Sequence, residues 1–260
     1  MEEKVELFIK QLTPDVYMMD EGHMACGYIV VGTEKVCVID TMNGFNDVKK
    51  VVREITDKPI VVVNTHGHGD HVFGNIYFDE AYLNPDDFDL AEESINMPVF
   101  VKACKKFGIK MPPFKPIKEG DVINLGGKTL EVYNLPGHTA GGIVLLLKED
   151  RILFTGDSVN HHLWMMLKHS LSLAEYAKSV DRILFLKDKA DRLLHGHTAG
   201  FDDISLLTCL RDGVQEILDG KTENDKDFKW SGGTCRQHNF KVLEGKEYSQ
   251  TDEYVIYYKP

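Results

Sequence analysis

At 260 residues, 43% of them hydrophobic, the chain can bury one large core or two closely joined halves. Its formal net charge of -11, from 41 acidic and 30 basic residues, speaks against a nucleic-acid binder, which would show a basic excess or a basic patch; neither is visible. No apolar run reaches the length of a membrane span, the opening "MEEKVELFIKQL" is acidic rather than a basic cleavable leader, and five scattered cysteines contain no CxxC, so a cytoplasmic protein with reduced thiols and no membrane partner is expected.

In chain order, "VELFI", "DVYMM", "CGYIVVG" and "KVCVID" read as strands separated by turn residues. Val48, Val51, Val52 and Ile55 share one face of a predicted helix over 46–55, and "PIVVVN" then reads as a strand buried on both faces. From 76 to 119 the pattern loosens: "NPDDFDLAEES" predicts a turn and short helix, "MPVFVKACKKFGI" a helix ending at Gly108, and "KMPPFKPIKEGD" a proline-stiffened loop. "KTLEVYNL", "GIVLLLK" and "RILFTG" resume the strands, followed by a helix over 172–186 whose Ser172 and Glu175 form a capping-box signal. "DRLLHG" reads as a strand, 202–218 as a helix, and "NFKVLE" and "EYVIYYK" as two final strands. Two successive halves of strands, helix and strand predict an α/β sandwich, taken as one domain over 1–260 with an inserted or lid-like segment around 76–119.

The densest chemistry lies in "THGHGDHVFGN", where His66, His68, Asp70 and His71 fall within six positions directly after "IVVVN". Alternation in an extended chain points His66 and His68 to one side, and the intervening glycines let the backbone turn so that Asp70 and His71 face the same cavity. Imidazole nitrogen and carboxylate oxygen suit zinc, and also iron or manganese. One histidine on a loop is usually only polar surface, but here three further strand-like runs each end in a glycine-flanked donor: His138 in "NLPGHT", Asp157 in "FTGDS" and His197 in "HGHT". Donors at four strand ends are what a site between two sheets requires.

This order of motifs resembles the metallo-β-lactamase-fold hydrolases over Cys26–Ala199 and, more weakly, over the rest of the chain; "CGYIVVGTEKVCVIDT" is similar to the family's opening strand pair. The resemblance implies a four-layer αββα sandwich of two mixed β-sheets with helices outside. It implies two divalent cations, zinc ahead of iron or manganese, with His66, His68 and His138 holding one and Asp70, His71 and His197 the other. Asp157 would bridge them and Asp40 would support the site without ligating. In "HGH" the family pattern selects His197, leaving His195 as a strand residue or a supporting partner.

Two such cations imply a dinuclear hydrolase that attacks with a bridging hydroxide, with Asp70 orienting it and shuttling its proton. Asp157 stands where one main class of β-lactamases has cysteine, and that carboxylate resembles the thioesterase, lactonase and nuclease branches. His68 in place of glutamate, with no flavodoxin domain following, speaks against an oxygen reductase. The tail after His197 lacks the basic constellation with which glyoxalase II would hold glutathione. A small ester, lactone or thioester is therefore expected, with β-lactam or phosphodiester hydrolysis, or a mononuclear-iron sulfur dioxygenase, as alternatives. Selectivity is expected in two segments. "SINMPVFVKACKKFGIKMPPF" is either an apolar lid, through Met97, Phe100, Phe107, Met111 and Phe114, or core packing. In "VNHHLWMML", read as loop after Asp157, His161, His162 and Trp164 are candidate substrate contacts.

Overall fold

A computed structural model describes residues 5–249 and 253–260; the first four residues of the acidic opening lie outside them. The chain divides into two compact units, Met1–Val132 and Tyr133–Pro260.

In the first unit seven strands form one sheet in sequence order: β1 (Leu7–Thr13), β2 (Val16–Glu21), β3 (Cys26–Val31), β4 (Val36–Ile39), β5 (Ile60–Val63), β6 (Ala81–Leu83) and β7 (Phe114–Pro116). Through β4 the pairing is antiparallel, joined by short turns; from β4 to β7 it is parallel, so each link crosses over. The first crossover is helix α1 (Val48–Ile55), whose N-cap Asp47 accepts the Lys50 N–H and whose Val48, Val51 and Val52 are buried. The second starts with the single turn α2 (Gly69–Val72), and the third contains α3 (Phe88–Ile95) and α4 (Pro98–Phe107). Gly108, at φ 65°, ends α4 where the sequence puts its stop. A hairpin of β8 (Val122–Asn124) and β9 (Thr129–Asn134) follows, and β9 carries the chain across the boundary.

Two expectations change here. β5 is buried only at Val62 and Val63, its first two residues being half-buried. The proline-rich loop contributes β7, at the sheet edge, where a proline needs no donor for a further strand.

In the second unit β10 (Ile143–Leu147), β11 (Ile152–Gly156), β13 (Arg192–His195) and β14 (Asp202–Asp203) lie side by side. β11 and β13 are parallel, and the link between them contains β12 (His162–Met165) and α5 (Leu173–Ile183). Both halves of the Ser172–Glu175 capping box are formed at the start of α5. After α6 (Leu206–Leu218), β15 (Lys226–Trp230), β16 (Gly233–Asn239) and β17 (Val255–Tyr258) join β12 in a separate sheet. Tyr176, Val180 and Ile183 of α5 and Leu210 and Val214 of α6 bury against Leu146, Leu153 and Leu193.

The tail departs most from its sequence pattern. The helix expected from 202 begins at Leu206, because Asp202 and Asp203 pair with β13. "NFKVLE" is not a strand: β16 stops at Asn239, and Phe240 turns inward so that its Cβ would lie 2.5 Å from a side chain at Gly213. The β15–β16 hairpin went unread because "KDFKW" alternates charge with aromatics on a largely exposed surface. "HLWM", read as loop, is β12, paired in parallel with β17. Among the described residues no helix is long and apolar enough to cross a membrane.

Candidate metal centre

Each unit assembles its own share of the expected donors. In the first, β5 delivers Asn64 and Thr65 to its end, His66 follows in extended backbone, and His68 caps α2 with φ -69° and ψ 150°. The His66 and His68 rings meet edge to face with centroids 4.8 Å apart, as alternation requires, and His66 and His71 lie 4.0 Å apart. Gly69 is required by packing: a Cβ there would come within 2.4 Å of the Phe73 ring. His66 and His71 are buried, while the Asp70 side chain keeps 35% of its exposure.

Asp40 holds this cluster from below. Its carboxylate accepts from the Thr65 N–H at 2.7 Å, the Thr65 hydroxyl at 2.7 Å and His71 Nδ1 at 2.9 Å. Thr65 Oγ1, having given its proton to Asp40, accepts from His66 Nδ1 at 3.1 Å. Both rings therefore carry their proton on Nδ1, and both present the Nε2 lone pair to a cation. For His71 that nitrogen lies 3.7 Å from Asp70 Oδ2. Asp40 sits at φ 57°, a left-handed position that costs an aspartate on the order of 1 kcal/mol. Three accepted hydrogen bonds over-determine it. Buried Asp87, absent from the sequence reading, accepts the Gly67 N–H at 2.9 Å and so pins the loop between the first two histidines.

In the second unit His138, Asp157 and His197 leave three different elements and converge. His197 Nε2 is 3.1 Å and His138 Nε2 3.8 Å from the same oxygen, Asp157 Oδ2. His138 Nδ1 donates to the Trp164 backbone carbonyl at 2.8 Å, which again directs Nε2 outward. Ser170 Oγ donates to the His138 carbonyl at 2.9 Å and the Leu171 N–H to the Gly137 carbonyl at 2.8 Å, so the segment before α5 grips this loop.

The three candidate substrate contacts fare differently. His161 is buried and its Nε2 donates to Asp202 Oδ1 at 2.9 Å, so that nitrogen is committed within the protein. His162, at the start of β12, keeps an exposed surface, and partial desolvation of its ring together with His161 lowers its pKa. The Trp164 ring packs against Trp230 and Tyr257, with centroids 6.0 and 5.9 Å away, and its carbonyl does the work of orienting His138.

A second buried carboxylate organises this unit, and sequence reasoning missed it because Asp202 looked like a helix start. Besides His161, it accepts from the Ser249 N–H at 2.6 Å and from Ser249 Oγ at 3.1 Å, and its Oδ2 lies 3.2 Å from His195 Nε2. His195 Nδ1 accepts the His197 N–H at 3.2 Å, which fixes its proton on Nε2, toward Asp202. That tautomer turns the His195 N–H toward Asp202 and makes His161, His195 and Asp202 a polar scaffold beneath the His197 loop, although their nitrogen and oxygen atoms are close enough together to consider a cation. Burial raises the Asp202 carboxyl, but the bonds from His161 and His195 outweigh it and hold it at about 2; burial lowers His195 to about 4.

The donor set of nitrogen and carboxylate oxygen, with three rings oriented by Nδ1 acceptors, fits divalent cations of the zinc, iron or manganese type. Comparison with known proteins agrees. Residues 26–197 match the family model described as the metallo-beta-lactamase superfamily. The chain is 29% identical over 208 residues to the acyl-coenzyme A thioesterase MBLAC2 of Homo sapiens, covering 68% of this chain and 74% of that protein. The Bos taurus counterpart is 30% identical over the same shares. Among solved structures, DIM-1 metallo-beta-lactamase superposes with a TM-score of 0.63 at 18% identity, over 83% of this chain and 100% of the other. A metallo-beta-lactamase from Pontibacter korlensis gives 0.61 at 21% identity, over 81% and 99%. At such identities the structures speak for the fold alone, and the fold is theirs.

Proposed function

The chain belongs to the metallo-beta-lactamase superfamily, and from that premise we propose that it hydrolyses a thioester with the help of two divalent cations. We assign the ligands by position in the family pattern and by donor chemistry: His66, His68 and His138 for one cation, Asp70, His71 and His197 for the other, and Asp157 shared. Zinc is the proposed metal, with iron and manganese as the other ions this donor set accepts. Bound there, the cations supply Lewis acidity and lower the pKa of water toward neutrality.

The observation that carries this reading is the proton placement on His66, His71 and His138. Each spends Nδ1 on an oxygen acceptor, at 3.1, 2.9 and 2.8 Å, a pattern that leaves each Nε2 unprotonated and suited to a cation. Asp157 supports a carboxylate-bridged site over the cysteine type, and the curated relatives named as acyl-coenzyme A thioesterases favour a thioester among the candidate substrates.

In the proposed reaction a water oxygen bonds to the thioester carbonyl carbon, the C–S bond breaks, and an acid and a thiol result. Asp70, at the exposed end of the cluster, receives the water's proton on a carboxylate oxygen and returns it to the departing thiolate. Asp40 and Thr65 keep the His66 and His71 rings from turning as charge moves, and Asp202 does the same for the His197 loop through His195.

The test is a panel of substrates offered to zinc-, manganese- and iron-loaded protein: acyl thioesters, lactones, aryl esters, β-lactams and bis-nitrophenyl phosphate. Thioesters should give the highest kcat/KM. A β-lactam or phosphodiester turned over faster than any thioester would replace this reading with that one, and oxygen uptake with a single iron per chain would replace it with a dioxygenase.

A further inference from the structure

The overall acidity hides one basic segment, which the sequence reading passed over. Between Asn96 and Lys118 there are six lysines (102, 105, 106, 110, 115 and 118) and no acidic residue, in a chain whose net charge is -11. Lys102, Lys105 and Lys106 are exposed at i, i+3 and i+4 on α4, Lys110 is exposed just beyond its Gly108 stop, and Lys115 forms an ion pair with Glu80. Large apolar side chains stand among them: Val99 is 69% exposed, Phe107 63% and Met97 48%, and the Lys106 ammonium lies over the Phe107 ring at 5.1 Å.

This surface is tied to the metal-binding loop. Phe100, the buried residue of α4, stacks on Phe73 with centroids 4.1 Å apart and planes 16° apart. Phe73 in turn covers Gly69, the first residue of the turn that carries Asp70 and His71. A helix tied to that turn by an aromatic stack, presenting lysines and exposed apolar groups, fits a ligand that is polyanionic at one end and apolar at the other. Neutralising phosphates is what a cluster of compact ammonium groups does, and a globally acidic protein would otherwise repel them.

We propose that α4 selects the substrate: Lys102, Lys105, Lys106 and Lys110 hold the phosphates of a phosphorylated thiol carrier, while Met97, Val99 and Phe107 cover its acyl chain. This rests on the thioester reading above and adds to it the chemical class of the carrier. It also gives the segment that the sequence leaves open between lid and packing both roles, divided by residue: Phe100 packs, and the exposed residues recognise.

The test uses the metal-loaded full chain and the triple variant K102E/K105E/K106E. Two thioesters carry the same octanoyl group, one on coenzyme A and one on uncharged N-acetylcysteamine; binding is measured separately with the non-hydrolysable thioether S-octyl-coenzyme A. The variant should lower the ratio of kcat/KM for the coenzyme A ester over the uncharged one by at least about tenfold, through KM, and weaken S-octyl-coenzyme A by a similar factor. Both effects should shrink as salt rises. An unchanged ratio together with unchanged binding would overturn the proposal. So would failure of the wild type to bind S-octyl-coenzyme A while sedimenting with phosphatidylserine vesicles in a lysine-dependent way, which would assign the helix to a lipid surface. If neither thioester is cleaved but S-octyl-coenzyme A binds through these lysines, the carrier assignment stands and the thioester hydrolysis fails instead.

Discussion

Two buried aspartates outside the proposed ligand set decide how the candidate ligands stand. Asp40 accepts three hydrogen bonds beneath His66 and His71, and Asp202 accepts three beneath the His197 loop with His195 Nε2 3.2 Å away. His66→Ala should lower hydrolysis by more than about a hundredfold, beyond what loss of a supporting partner costs, and retained activity would remove the metal mechanism. Asp202→Asn places an amide N–H where donors converge, so it should cost the metal-free protein about 2 kcal/mol in urea unfolding. It should also weaken binding of one cation by about tenfold, a readout that loss of fold stability alone would not move in protein that remains folded. The same scaffold predicts a pH dependence. His195 titrates at about 4 in the folded protein, below its ordinary value of 6.5, so the unfolded chain binds the extra proton first. Stability of the metal-free protein should be full above pH 6.5 and fall as pH drops toward 4, and His195→Asn should flatten that slope; an identical slope would contradict the assignment. Asp202, at about 2, adds its loss only below the ordinary carboxylate range.

At the scale of elements, what the sequence made legible were the devices that act locally. The Ser172–Glu175 capping box and the Gly108 stop are each decided within four residues, and each stands where the pattern puts it. Ser172→Ala should therefore cost about 1 kcal/mol, read as a shifted urea midpoint at unchanged slope. Through the 170–171 bonds to Gly137 and His138 it should also loosen the His138 loop, visible as faster amide exchange at Gly137 and His138. What was not legible depended on partners far along the chain. β12 forms because β17 lies beside it, β14 because β13 does, and β7 because the sheet edge accepts prolines. Trp164 shows the limit most plainly: a ring in a loop after a ligand suggests a substrate contact, whereas its carbonyl position became visible only with the strand it belongs to.

For the whole molecule, the candidate donor types and their order along the chain carried the family. The supporting residues Asp87, Asp202 and Ser249 carried no such signal, since an aspartate or serine that accepts or donates to a backbone group has no sequence pattern of its own. Nor did total charge reveal the basic helix, because a sum over 260 residues averages away a cluster of four exposed lysines. The central claim, that bound divalent cations make this chain a thioester hydrolase, is tested most directly by titrating zinc into chelator-stripped protein while following thiol release from an acyl thioester. The account predicts no release without metal and activity that climbs to a plateau as two cations bind per chain. Undiminished thiol release from metal-free protein would contradict it.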